Sequence, residues 1–199
     1  MLPANGWQQY SAFIFDCDGT LADTMPIHQI AWAHALSKHG ATFDFGWDLF
    51  MSRAGKTIEL TVVELNQQFG SALDPERVAA DQRAHFDSLA GRTRPLSEVV
   101  AFARARVADG FPVSVASGGD APTVHRTLRT IGVSDLFPVV VTAEEVAHGK
   151  PAPDLFLLAA KRMGIFPEQC LVFEDSQLGI IAAERAGMGA VLVERASTI

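Results

Sequence analysis

The chain has 199 residues, 48% of them hydrophobic, and a net charge of −7. That is enough for one domain, or a core carrying a modest insertion, with a sizeable buried interior. The acidic balance argues against nucleic acid or an anionic membrane as partner, since both need clustered Lys and Arg, and no apolar stretch approaches the roughly 18 residues of a membrane span.

Met1 to Trp7 show no basic segment followed by an apolar one, so no signal peptide is expected. Cys17 and Cys170 each fall in an apolar run that reads as a strand. Two buried thiols make no disulfide framework, and a reducing cytoplasm is the simpler expectation.

The first element is Phe13-Ile14-Phe15-Asp16-Cys17-Asp18-Gly19-Thr20-Leu21, an apolar run that delivers two carboxylates to a glycine turn. Taken alone, it also reads as a strand and an ordinary Asp-Gly turn. A long helical stretch follows. His28 to His39 holds Ile30, Ala31, Ala35 and Leu36 at helical spacing and stops at Gly40. Thr57 to Phe69 repeats the pattern and stops at Gly70, and Asp74-Pro75 opens a helix reaching Leu89. Gly91 to Pro95 reads as a linker.

From Ser97, read as a helix cap, helices and short strands alternate. A helix runs toward Gly110, a strand spans Phe111 to Ala116, and a helix spans Pro122 to Ile131. Then come a strand from Pro138 to Val141, a helix from Asp154 to Gly164 and a strand from Cys170 to Phe173. A helix from Gln177 to Ala186 and a strand from Ala190 to Val193 close the pattern. Alternation of this kind predicts an α/β fold with a parallel sheet covered on both faces. The helical block is then an insertion after the first strand, lying over the strand ends where ligands bind. The expected division is a core of residues 1–24 and 96–199 and a cap of residues 25–95, joined by two hinges.

Four strand ends carry candidate chemistry: Asp16 with Asp18, Ser117 with Gly118 and Gly119, Lys150, and Glu174 with Asp175. A hydroxyl and backbone N–H groups in a glycine turn can hold phosphate oxygens. Lys150 sits before Pro151 and Pro153, which stiffen its loop. If the first and fourth strands are neighbours, the two acidic pairs converge. Oxygen ligands beside a lysine suit Mg²⁺ with phosphate.

Asp-x-Asp-Gly-Thr, then Ser, then Lys, then Glu-Asp resembles the haloacid dehalogenase superfamily. Phe173-Glu174-Asp175-Ser176-Gln177-Leu178-Gly179-Ile180 and Ala182-Ala183-Glu184-Arg185-Ala186-Gly187-Met188 are similar to its β-phosphoglucomutase-like branch, and within it to bacterial phosphatases of fructose 1-phosphate type. The resemblance covers the whole chain. It implies a Rossmann-like sheet in the order 3-2-1-4-5 with an inserted helical cap. It implies Asp16 as the nucleophile forming an aspartyl-phosphate, and Asp18 as the general acid and base. It further implies Mg²⁺ held by Asp16, the Asp18 carbonyl and Asp175, with Glu174 in or near the shell. Ser117, Gly118 and Lys150 would clamp the phosphoryl oxygens. A carboxylate at position 18 fits phosphate-ester chemistry, and neither dehalogenation nor phosphonate cleavage.

His28 falls where mutases of this branch carry a histidine near substrate, although a first-turn surface histidine reads as well. The branch's mutases grip a second phosphate with a cap arginine; Thr57 stands there, with Lys56 and Arg53 nearby. Gly55-Lys56-Thr57 lacks the earlier glycine of a nucleotide-binding loop, having Phe50 in its place. The expected activity is a Mg²⁺-dependent phosphatase of small phosphosugars, of fructose 1-phosphate or 6-phosphogluconate type, acting as a monomer. A β-phosphoglucomutase is the alternative. A third reading, a sugar-phosphate-binding module on an inactive scaffold, would lose a nucleophile or metal ligand, and none is missing.

Overall fold

The computed structural model describes residues 6–194. Residues 1–5, which entered the signal-peptide expectation, and residues 195–199 of the expected core lie outside them. The first strand, β1 (Ala12–Phe15), is buried along its whole length. It pairs in parallel with β2 (Val113–Ala116) on one side and β4 (Cys170–Glu174) on the other. β3 (Val139–Val141) flanks β2 and β5 (Gly189–Leu192) flanks β4, which gives the order 3-2-1-4-5. The first and fourth strands are therefore neighbours, as the convergence of the acidic pairs requires.

Alternate residues of each strand face opposite sides of a sheet. Phe13, Phe15, Val113, Val115 and Phe173 pack on one side with Val99, Ala103 and Leu128. Those partners come from α5 (Ser97–Ala108) and α6 (Ala121–Thr130). Ile14, Ala116 and Val172 pack on the other side with Phe156, Ala159 and Ala182. Those come from α7 (Asp154–Met163) and α8 (Gln177–Arg185). Each fully buried Phe or Ile contributes about 1.5–3 kcal/mol. Two covered faces explain why the strands read as unbroken apolar runs.

Four helices lie between β1 and α5: α1 (Met25–Lys38), α2 (Trp47–Met51), α3 (Ile58–Phe69) and α4 (Pro75–Leu89). They bury a core of their own around Trp32, Phe50, Val62, Leu65 and Val78. Thr57 caps α3 at the amide of Leu60, and Asp74 caps α4 at Glu76 and Arg77. Gly70 ends α3 with φ at +64°, a conformation glycine adopts at no steric cost. The two chain crossings into this block are stitched together. Asp23 N donates to Arg94 O at 2.8 Å and Leu96 N to Leu21 O at 2.9 Å.

Several expectations need correction. Ser97 is the first residue of α5 rather than its cap. Leu96 takes that position, anchored by its amide to Leu21 O, and its hydrocarbon side chain accepts no capping bond. Cys17 lies just past β1, although it is buried and free like Cys170. α1 starts at Met25, three residues before His28, since Pro26 is tolerated in a first turn. α2 was not anticipated, being five residues long and too short to show a period. Residues of the expected 91–95 linker enter a short 3₁₀ turn over Ala90–Arg92. Among the described residues no helix is long and apolar enough to cross a membrane.

Candidate active site

The parallel register brings the strand ends together. Asp16 continues β1, its amide donating to Phe173 O at 2.9 Å, so it emerges beside Glu174. Ser117 continues β2, its amide donating to Val141 O at 2.9 Å. After Asp16 the chain turns sharply: Leu21 and Ala22 both donate to Cys17 O, and Gly19 takes φ at +87°. A Cβ on Gly19 would collide with the Asp175 carboxylate. Glycine here supplies both the positive φ and the room for that carboxylate.

Lys150 is 6% exposed, and its Nζ lies 2.6 Å from Asp16 Oδ1 and 2.9 Å from Glu174 Oε1. Glu174 is 1% exposed. Its Oε1 also accepts from Ser176 Oγ, and its Oε2 from the amides of Asp175 and Ser176. Glu174 thus holds the lysine and the loop at once. Ser117 Oγ accepts from Gly119 N at 3.1 Å, which folds the glycine turn around the hydroxyl. Gly118 faces the carbonyl of Gly55, where the helical block meets the core.

One ammonium pairs with two of three crowded carboxylates, and the charge balance shows it. Burial raises the Asp16 carboxyl well above its usual range, with Glu174 adding to the rise against the pull of Lys150. Burial and the charge of Glu174 raise Asp175 as well. Burial would lower Lys150, but Asp16 and Glu174 hold its ammonium above the ordinary value. Asp18 behaves otherwise. Burial raises it, but His28, Thr24 and Lys150 together outweigh that and leave it below the usual carboxylate range.

Residues 10–187 match the family of haloacid dehalogenase-like hydrolases. The chain belongs to that family. Fructose-1-phosphate phosphatase YqaB of Escherichia coli is 37% identical over 93% of this chain and 97% of its own length. A hydrolase from Pseudomonas syringae superposes with a TM-score of 0.83 at 27% identity, covering 92% of this chain and 84% of that one. A β-phosphoglucomutase from Clostridium difficile shares the fold, with a TM-score of 0.79 at 24% identity over 94% of this chain and 85% of that one.

In this hydrolase the site opens into a cavity of about 310 Å³, walled by strand ends below and helices above. His28 reaches it from α1, with Nε2 3.6 Å from Asp18 Oδ1. Lys56 and Arg53 reach it too, but both pair with Glu64, at 2.6 and 2.5 Å. Gly55-Lys56-Thr57 leads into α3 directly after the helix α2, where a nucleotide-binding loop follows a strand. Gln82, Arg83 and Phe86 of α4 also line the cavity and were missed. A signal for one of them existed: Gln82 stands on the apolar stripe Val78, Gln82, Phe86, where a polar side chain needs a reason.

The hydrolase's acidic cluster suits a hard divalent cation. Carboxylate oxygens of Asp16, Glu174 and Asp175 lie within 4.8 Å of one another. Asp175 Oδ2 is buried without a hydrogen-bond partner among the described residues. An all-oxygen set with surplus negative charge fits Mg²⁺ and offers nothing to a thiophilic metal.

Proposed function

We propose that this protein is a Mg²⁺-dependent phosphoric monoester hydrolase of small phosphosugars, working through an aspartyl-phosphate. The observation that carries the reading is Asp16, fixed by Lys150 beside an orphaned Asp175 oxygen, under a covered cavity of sugar-phosphate size. Asp16 attacks phosphorus in line as the bond to the sugar oxygen breaks. Asp18, having taken up a proton in the substrate-bound site, gives it to that departing oxygen, then takes one from the water that hydrolyses the acyl phosphate. Ser117 Oγ and the amide of Gly118 bind phosphoryl oxygens, and Lys150 neutralises charge at Asp16 and the phosphoryl group.

Asp16, the Asp18 carbonyl and Asp175 would hold Mg²⁺. Glu174, its two oxygens already engaged, stands at the edge of that set. When bound, the cation supplies positive charge to the phosphoryl group. Residues 25–95 act as a cap on a core of residues 1–24 and 96–199. The fructose 1-phosphate phosphatase relative makes a ketose phosphate the first substrate to try. A mutase needs a cation ready for a second phosphate. Arg53 and Lys56 already share Glu64, which favours hydrolysis. Two buried free thiols suit a reducing cytoplasm.

The test is release of inorganic phosphate from a sugar-phosphate panel, with Mg²⁺ and with EDTA, by wild type and Asp16→Asn. Full activity in Asp16→Asn would sink the mechanism. Conversion of β-glucose 1-phosphate to glucose 6-phosphate without phosphate release would favour the mutase.

A further inference from the structure

We propose that Gln82, backed by Phe86, is a positioning residue that fixes His28 in its Nε2–H tautomer and aims that proton at Asp18. This deepens the function proposed above and rests on Asp18 acting as acid and base. Gln82 is 1% exposed, and a carboxamide buried that far must spend its hydrogen bonds on protein partners. Its Nε2 lies 3.2 Å from His28 Nδ1. An amide nitrogen only donates, so Nδ1 accepts and the single proton of the neutral ring resides on Nε2.

Phe86 lies one turn further along α4. Its ring stacks on the imidazole with centroids 4.1 Å apart and planes at 13°, which blocks rotation of the ring. The free edge of His28 then points at Asp18 Oδ1, 3.6 Å away. That oxygen is buried and has no hydrogen-bond partner among the described residues. A slight approach of α1 completes the bond. Asp18 Oδ2 lies on the side of Gly119, in the turn that follows Ser117. With Oδ1 held by His28, Oδ2 is the oxygen that carries the proton to the departing sugar alkoxide.

His28, Gln82 and Phe86 all belong to the helical block, whereas Asp18 belongs to the core loop. The oriented donor therefore reaches the acid only when the block is seated on the core. Gln82 sets proton delivery without touching substrate phosphate.

Two measurements test this. Long-range ¹H–¹⁵N correlation of His28 in wild type at mildly alkaline pH is expected to show protonated Nε2 and bare Nδ1. In Gln82→Met the two tautomers are expected to average. A wild-type ring protonated on Nδ1 overturns the proposal, and this measurement stands even if the variant fails to fold. The second compares kcat/KM for fructose 1-phosphate and p-nitrophenyl phosphate. A sugar alkoxide needs a proton to leave, and p-nitrophenolate does not. Gln82→Met is expected to lower kcat/KM for the sugar phosphate on the order of tenfold, part of the 10²–10⁴ that acid–base catalysis supplies, with a much smaller fall for the nitrophenyl ester. Equal falls would mark a merely structural role and overturn it. Asp18→Asn separates the two readings. Full sugar-phosphatase activity there would refute the acid–base role, whereas a wrong tautomer with inactive Asp18→Asn refutes the Gln82 assignment alone.

Discussion

Lys150 Nζ lies 2.6 Å from Asp16 Oδ1 across a sequence separation of 134 residues. The same ammonium holds Glu174, so Lys150→Met leaves two buried carboxylates without a counter-charge. Breaking a buried pair from one side costs about 3–5 kcal/mol, and losing a group that stabilises transition-state charge costs about 10²–10³ in rate. Urea denaturation and phosphate release are expected to show both losses. A variant with wild-type stability and activity would contradict the role given to Lys150.

The Asp16 carboxyl links stability to pH and to metal. Burial raises it, and with Glu174 working against Lys150 it stands at about 7, compared with 3.8 for an ordinary aspartate. A raised carboxyl contributes stability that is complete below the unfolded value and is lost as pH rises through the folded one. The metal-free protein therefore loses stability through this group between about pH 4 and pH 7. A cation binds the ionised form and competes with the proton. Saturating Mg²⁺ is expected to raise Tm more at about pH 8 than at about pH 5. An equal rise at both would exclude Asp16 from the metal set.

Strands and core motifs were legible because each is local. An apolar run buried on both faces needs no partner to be recognised, and carboxylates at its end follow from the turn. The adjacency of β1 and β4, which brings Asp16 to Glu174, is long-range and entered through resemblance. The inserted block was less legible for the same reason. Nothing near His28 in sequence reveals that Gln82, 54 residues away, meets its ring. Nor does spacing reveal that Arg53 and Lys56 share Glu64. Ser97 reads as a cap because a good capping residue stands at the first position of the helix, one place after the Leu96 that occupies the cap.

Arg126 of α6 pairs with Asp87 of α4, and Arg83 of α4 lies 3.6 Å from Asp120 at the start of α6. Both pairs tie the helical block to the core along one edge. They are partly exposed, so each is worth about 0–1 kcal/mol and is screened by salt. Arg126→Ala is expected to shift Tm little and to lower kcat/KM by no more than about fivefold, the factor equivalent to 1 kcal/mol. The difference from wild type should shrink as salt is raised. A difference that grows with salt would show that these pairs do not hold the helical block against the core.

Gly19 offers a way to disturb the metal set without removing a ligand. Its φ of +87° is strained for any residue with a Cβ, at a cost of about 1–2 kcal/mol. The added methyl would also drive into the Asp175 carboxylate, whose Oδ2 is buried without a hydrogen-bond partner among the described residues. Gly19→Ala is therefore expected to lose two things by different routes. Stability measured without metal should fall by roughly the backbone cost. Mg²⁺ affinity, measured by calorimetry on the folded variant, should fall at least about tenfold, as for loss of a group that orients a ligand. Unchanged affinity beside the stability loss would show that Asp175 moves aside without consequence, and would remove it from the proposed set.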